Sequence, residues 1–331
     1  QVYNDVEFKE DLFRNGIAST EFKLEFRKHE IVGRNKIYDK PKTRTVGMGN
    51  FIDQIIYDKK FKDLHTGMKS VYRNGKASSY VMGLNLEVHA QQVVDHLKYI
   101  DCVLDYDVVA WEEKFTRQMA RITIESSLEV IEEAYKAAGL TVSPEVKIML
   151  LTLLDDSVFS NVIYEDTIRT RLSGILSGWP GTLPDNSKAH LGILFLIVYR
   201  ILIRKGFKCL ANVVYIRKHV RAIVAADDVG VALSEEIREI VTPDDIQKGY
   251  AELGYEITAP DKTPKIKARS TYEIEFLKHN FYQKDGKFYT KIMPKVIYQL
   301  LGYIRTTTKL PAKEQMQVNI ADAMRFAYWH G

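Results

Sequence analysis

Two apolar runs, "RAIVA" and "VGVAL", meet at a pair of acids in the stretch Arg221–Ser234. Their small and β-branched residues predict a hairpin of two buried strands with Asp227 and Asp228 at its tip. Upstream, "NLEVHAQQVVDHLKYI" (Asn85–Ile100) has helical spacing, and "DCVLDYDVVAW" (Asp101–Trp111) reads as a strand running into an acidic turn. Helical patterns follow over Glu113–Ala138 and Ser143–Phe159, the second opened by a serine cap and an N1 proline. Asn161–Gly174 alternates around a turn as a hairpin does. Leu191–Ile203 is a continuous apolar run predicted to be a buried helix, and Thr242–Gly254 is a capped helix. A further hairpin is predicted over His279–Met293 and helix from Pro294 to Gly331, while the first ninety residues read as short strands and turns. Strands and helices mix without regular βαβ alternation, which predicts an α+β class rather than a doubly wound sheet.

Composition changes this picture little. The 331 residues suffice for one large domain or several subdomains, and 46% hydrophobic with 27% charged residues excludes wholesale disorder. Cys102 and Cys209 form neither a disulfide framework nor a metal cluster, which fits a reducing compartment. The apolar run at Leu191–Ile203 contains Arg200 and is too short to span a bilayer, so no transmembrane segment is expected. No signal peptide is visible, and a chain opening on Gln1 reads as a processed product or a fragment. Net charge is only +4, but Arg34–Lys76 holds 11 Lys or Arg against four Asp. Such a run is either a solvated face or the footprint of a polyanion such as RNA or a nucleoside triphosphate.

An acidic pair in a turn is ordinarily a solvated structural feature. Between buried strands, however, neighbouring carboxylates need a cation, and divalent metal ions serve that need. Asp105 ends a second apolar strand, with Asp107 two residues on and on the same face. Two strand ends carrying carboxylates side by side can hold two Mg²⁺ ions about 3.5–4 Å apart, suited to attack by a hydroxyl and departure of pyrophosphate. The most specific stretch is "SGWPGTLPDN" (Ser177–Asn186), a Gly/Pro loop entering a helix in the pattern Ser-Gly-x-x-x-Thr-x-x-x-Asn. Thr182 and Asn186 lie four apart on one helical face, where hydroxyl and amide groups can read a ribose 2′-OH. The plainer reading of the same residues is a helix cap.

These stretches, in this order, resemble the palm motifs of viral RNA-dependent RNA polymerases of the picornavirus-like group. "LDYDVVAW" is similar to motif A, "SGWPGTLPDN" to motif B, "AADD" to motif C, "YEITAPDKT" to motif D and "FLKHNF" to motif E. "KIYDKPKTR" resembles the basic motif F, and "AYWHG" a thumb segment. The resemblance implies a right-hand fold: a fingers segment over 1–60, palm over 61–118 and 175–288, a fingers insertion over 119–174, and a partial thumb over 289–331. It implies RNA-templated nucleotidyl transfer to a primer 3′-OH with two Mg²⁺ ions, for which Mn²⁺ can substitute. Asp105 and Asp227 would bind the metals with Asp228 assisting, and Lys262 would protonate the departing pyrophosphate. Lys42 and Arg44, with Lys36 beside them, would contact the triphosphate. Ser177 and Gly178 would form the loop that seats the nucleotide, Thr182 and Asn186 would sense ribose, and Phe276, Leu277 and Lys278 would grip the primer. Partners implied are template and primer RNA, ribonucleoside triphosphates, a viral protein primer and other replication proteins. The place implied is membrane-associated replication complexes in host cytoplasm.

Three departures from the pattern stand out. Ala226 replaces the usual glycine of motif C. The second motif A acid falls on Ala110 counting from Asp105, or on Glu112 counting from Asp107, and the first count predicts weaker sugar selectivity. The chain also reads as short at both ends. These departures keep open a silenced or truncated polymerase-like RNA-binding protein. A reverse transcriptase is a further alternative, but its Pro-Gln-Gly stretch is absent and Ala110 leaves room for a ribose hydroxyl.

Overall fold

The computed structural model describes residues 1–18, 22–27, 45–304 and 310–330. The chain divides into two compact units, each assembled from two separated stretches: Gln1–Met68 with Ala110–Gly192, and Lys69–Val109 with Ile193–Gly331.

The first unit holds a four-stranded sheet of β1 (Lys23–Arg27), β2 (Thr45–Met48), β4 (Ser160–Tyr164) and β5 (Thr167–Arg171), in the order β2-β1-β4-β5. β1 and β4 run parallel, and the other pairs are antiparallel. Helix Val2–Arg14 packs on helix Pro144–Val158, which packs in turn on Arg117–Ala137. Ser143 caps Pro144–Val158 by accepting from the Val146 N–H, as the Ser-Pro-Glu signal predicts. The expected start at Glu113 moves to Arg117, because a 3₁₀ turn at Trp111–Glu113 intervenes and Thr116 supplies the cap.

The first ninety residues depart most from expectation. Instead of short strands and turns alone, they contain helices Val2–Arg14 and Phe51–Arg73. Four buried ionisable side chains tie these helices to their neighbours. Lys9 Nζ lies 2.7 Å from Asp53 Oδ1, and Lys23 Nζ lies 3.6 Å from Asp156 Oδ2 while also donating to the Asp156 carbonyl. None of the four residues is more than 5% exposed. Two acids and two ammonium groups thus sit out of water between two helices, β1 and a third helix, where only mutual pairing makes burial tolerable.

The second unit is built on an antiparallel sheet of β3 (Val103–Val108), β6 (Val220–Ala225), β7 (Asp228–Leu233) and β8 (Ile257–Thr258), ordered β6-β7-β3-β8, with β9 (Ala268–Arg269) also pairing β3. Alternation puts Leu104, Tyr106 and Val108 on one face and Val103, Asp105 and Asp107 on the other. Tyr106 joins the first face to helix Pro243–Glu252 through a 2.9 Å hydrogen bond between the Tyr106 and Tyr250 hydroxyls. Thr242 and Asp245 form the capping box that starts this helix. On the second face Val103, Ile223 and Ala232 join a core with helix Leu86–Leu97 and the residues Phe276, Phe281 and Phe288. The latter come from a second sheet, β10 (Glu275–Phe276), β11 (His279–Lys284) and β12 (Lys287–Ile292). The C-terminal stretch is helical over Pro294–Gly302 and Ala312–Ala327, two helices that pack on each other.

The apolar run at Leu191–Ile203 lies within helix Thr182–Arg204, which by length and composition alone could cross a membrane. About half of its apolar window is buried, including Leu194, Ile197, Val198, Ile201 and Leu202, and Ile197 packs so closely on Gly249 that a Cβ there would meet its Cγ2 at 2.4 Å. That burial fits the core helix expected from the sequence.

Candidate active site

The acids come together through strand register. β6 and β7 pair as Ala225↔Asp228, so the hairpin loop is only Ala226 and Asp227. β3 and β7 pair as Asp107↔Asp228 and Asp105↔Gly230. Directly opposed residues hold their Cβ atoms about 4.5–5.5 Å apart. Asp107 is therefore the motif A acid that faces the hairpin pair. Asp105, the acid expected there from the sequence, is one pleat deeper in the sheet. It is 2% exposed, and its Oδ2 accepts from the Glu275 N–H at 2.9 Å. Burial pushes its carboxyl above the usual range, against the pull of that N–H.

Two lysines lean on this acid group. β8 pairs with β3 at Asp107↔Thr258, and the turn that follows carries Lys262, whose ammonium forms an ion pair with Asp107 Oδ2. Lys278 Nζ pairs with Glu275 Oε1 at 2.9 Å. Its ammonium lies close enough to Asp228 and Asp227 that, with Glu275, they hold it protonated above the ordinary lysine range despite partial burial. Burial pushes the Asp228 carboxyl up, while Lys278 draws it down. The Thr258 hydroxyl, across from Asp107, is buried with no hydrogen-bond partner.

Backbone strain gathers at the same place. Ala226 (φ +57°), Lys262 (φ +66°), Leu277 (φ +49°) and Lys278 (φ +63°) occupy the left-handed region that non-glycine residues seldom adopt. At Leu277–Lys278 the tight connection between β10 and β11 turns the lysine back toward the acids. Phe276 is buried in the core and Leu277 packs against it, so of the three expected primer-grip residues Lys278 is the one near the acids. At Ala226 the left-handed conformation costs roughly 1–2 kcal/mol that glycine would not incur, set against about 0.5–1 kcal/mol of extra chain entropy for glycine. Ala226→Gly is expected to leave stability unchanged or raised by up to about 1.5 kcal/mol in chemical denaturation.

In the first unit, the motif B loop is fixed from within. Gly178 N–H donates to the Gly47 carbonyl at 2.8 Å, and a Cβ at Gly178 would sit 2.7 Å from that oxygen. The Thr182 hydroxyl donates to the Leu176 and Trp179 carbonyls at 2.7 and 2.6 Å. Thr182 thus staples its own loop by donating to the carbonyls before it, which is not the helix cap expected as its plainer role. Ser177 and Gly178 are exposed. Asn186 is fully buried, and neither atom of its amide group has a hydrogen-bond partner. Beside it Asp185 accepts from the Tyr57 hydroxyl at 3.0 Å, and burial raises its carboxyl. A Cβ at Gly181 would meet Asp185 Oδ2 at 2.3 Å and Tyr57 Oη at 2.4 Å. Gly181→Ala is therefore expected to destabilise by about 1–3 kcal/mol in thermal denaturation. Gly192→Ala, in open space on the same helix, should not.

Lys36, Lys42 and Arg44 lie outside the described residues. Among the described residues no three acid, histidine or cysteine side chains already converge as a metal cage. The donor set nevertheless suits hard divalent cations. It offers carboxylate oxygens on adjacent strands, like charges facing each other across the ladder, and an orphaned hydroxyl alongside. Glu275 was not visible in the sequence as a site residue. Its only signal is its place just before "FLK".

Known structures place the fold. Some 430 solved chains match. One is a Sicinivirus 3Dpol RNA-dependent RNA polymerase, with a TM-score of 0.76 and 18% identity, covering 100% of this chain and 62% of that one. The fold is thus the polymerase fold, and the chain spans about three fifths of the length of that polymerase. The sequence pattern of the viral RNA-dependent RNA polymerases matches residues 2–331. The chain belongs to that family, whose chemistry uses divalent metal ions. No curated protein matches.

Proposed function

We propose that this chain synthesises RNA on an RNA template, joining ribonucleoside triphosphates to a primer 3′-OH during viral genome replication. The observation that carries the reading is Asp107 facing Asp228 at the tip of the Asp-Asp hairpin, with Lys262 and Lys278 beside them. Asp107, Asp227 and Asp228 would hold two Mg²⁺ ions, with Mn²⁺ able to replace them, and Asp105 gives up the ligand role to Asp107. When bound, the metal supplies charge neutralisation at the phosphates and a more acidic primer hydroxyl.

The other roles belong to the chain's own side chains. Lys262 is a cation already at the acids, suited to give a proton to departing pyrophosphate. Lys278 steadies the primer end, held by Glu275 from a strained turn. Ser177 and Gly178 present the nucleotide-seating loop. Ribose sensing rests on Asn186, whose amide is uncommitted, and on Thr182 as an acceptor alone, since its hydroxyl proton is given to loop carbonyls. Lys36, Lys42 and Arg44 would form the triphosphate wall, where ammonium and bidentate guanidinium groups suit phosphate oxygens. Partners would include a viral protein primer and other replication proteins, and the work would take place in membrane-associated complexes of the host cytoplasm.

The test is extension of a labelled RNA primer–template by one nucleotide, with Mg²⁺ and then Mn²⁺, beside Asp227→Ala. Extension that vanishes in the variant supports the reading. Extension that survives Asp227→Ala, or its absence with both metals in a folded chain, sinks it.

A further inference from the structure

The outer side of the β11–β12 hairpin carries a pattern that the acids do not use. The register pairs Asn280 with Lys291, Tyr282 with Tyr289, and Lys284 with Lys287, so these six share a face. The opposite face is committed to the core, with Phe281, Phe288 and Thr290 buried. The outer face therefore holds three lysines, two tyrosines and an asparagine, and no acid.

Its rings form a row. Tyr282 and Tyr289 have centroids 5.8 Å apart at 28°, and Trp329 continues the row 5.9 Å from Tyr289 at 23°. Tyr328 stands edge-on to Trp329 at 5.3 Å and is 75% exposed. At the other end the Lys291 ammonium lies 5.8 Å from the Tyr282 ring centre. Burial accounts for the row only in part: Tyr282, Tyr289 and Trp329 are half-buried, while its last ring, Tyr328, is open to water. Ion pairing does not account for the cations, since the register sets lysine opposite lysine at Lys284↔Lys287. Like charges directly opposed are unfavourable on a sheet unless something negative covers them.

We propose that this face is a stacking platform for single-stranded RNA, with bases on the rings of the Tyr282–Tyr328 row and phosphates on Lys284, Lys287 and Lys291. Aromatic rings accept any base, and flanking cations follow the backbone without reading sequence. A strand held here is bound whether or not a nucleotide is added, so the proposal goes beyond the polymerisation reading.

The test is fluorescence anisotropy of a labelled oligouridylate of about twelve nucleotides, within the usual span of such sites. It is run on the full chain with no metal or triphosphate, so failure of catalysis does not bear on it. Tyr328→Ala is expected to weaken binding about tenfold, and Tyr328→Phe to restore it. Lys284→Gln with Lys287→Gln is expected to lower the salt slope by about 1.4, about 0.7 for each phosphate contact. An abasic strand of equal length should not distinguish Tyr328→Ala from the parent. The proposal is overturned by a Tyr328→Ala chain that binds RNA as the parent does, which would leave the face to a protein partner. It is overturned equally by a loss as large for the abasic strand, which would mean phosphate contact alone.

Discussion

Asp107→Asn is expected to lower nucleotide incorporation about a thousandfold or more, while Asp105→Asn stays within about tenfold of the parent. The first figure follows from the several kcal/mol that metal-held charge stabilisation supplies at a phosphoryl centre, at 1.36 kcal/mol per tenfold. Asn at 107 keeps the shape but loses the negative charge that faces Asp228 across the ladder and pairs with Lys262. Asn at 105 retains an oxygen to accept from the Glu275 N–H, which is the bond seen at that carboxyl. The same change on two acids of one strand face thus separates the one facing the hairpin from the one anchoring the neighbouring sheet. Single-turnover primer extension reads both. Equal loss in the two variants would mean that Asp105 reaches the reacting groups as well.

The second large effect lies in the first unit and concerns stability. Asp53→Ala removes the carboxylate that Lys9 meets at 2.7 Å in a buried site, and breaking such a pair costs about 3–5 kcal/mol. Denaturant unfolding of the variant should show that loss. The same cluster has a pH signature. Burial pushes the Asp156 carboxyl up to about 7, with Lys23 opposing and Asp53 adding to the rise. An unfolded aspartate titrates near about 3.9. Between those values the folded chain holds a proton that the unfolded chain has released. The contribution of Asp156 to stability is therefore fully present below about pH 4 and falls away as pH rises through about 7. Asp156→Asn, neutral throughout, should gain on the parent in unfolding free energy between pH 5 and pH 8. A constant difference would contradict the shared burial.

Much of the fold could be read from the chain. The hairpin at Arg221–Ser234 shows as two apolar runs about a short turn and that at His279–Met293 as alternation about one, and Ser143 and Thr242 mark their helices by cap chemistry. Helix Phe51–Arg73 escaped because its inward stripe is not uniformly apolar. Ile56, Tyr57 and Phe61 share it with Asp53 and His65, and Asp53 is tolerated inside only because Lys9 arrives from another helix. No local pattern announces a partner so far along the chain.

The candidate site was legible to a similar depth. Residue types and order pointed to Asp227, Asp228, Lys262 and Lys278, and the structure brings these together. The choice between Asp105 and Asp107 was not legible, because a spacing of two leaves both on one strand face and only the pairing register with β7 decides between them. Glu275 was invisible for the same reason: its contact with Lys278 depends on a turn held at positive φ by two non-glycine residues. For Thr182 and Asn186 the spacing put both on one helical face, but only the loop carbonyls of Leu176 and Trp179 showed which of the two is occupied.

The measurement that tests the acid site most directly is Mn²⁺ binding, followed by loss of the free-ion spin resonance signal, in the parent, Asp107→Asn and Asp105→Asn. Binding in the parent that weakens at least about tenfold in Asp107→Asn and holds in Asp105→Asn is the predicted result, since losing even a partner behind a metal ligand costs about that much. Binding that survives Asp107→Asn but is lost in Asp105→Asn would contradict it and return the metal to the deeper acid.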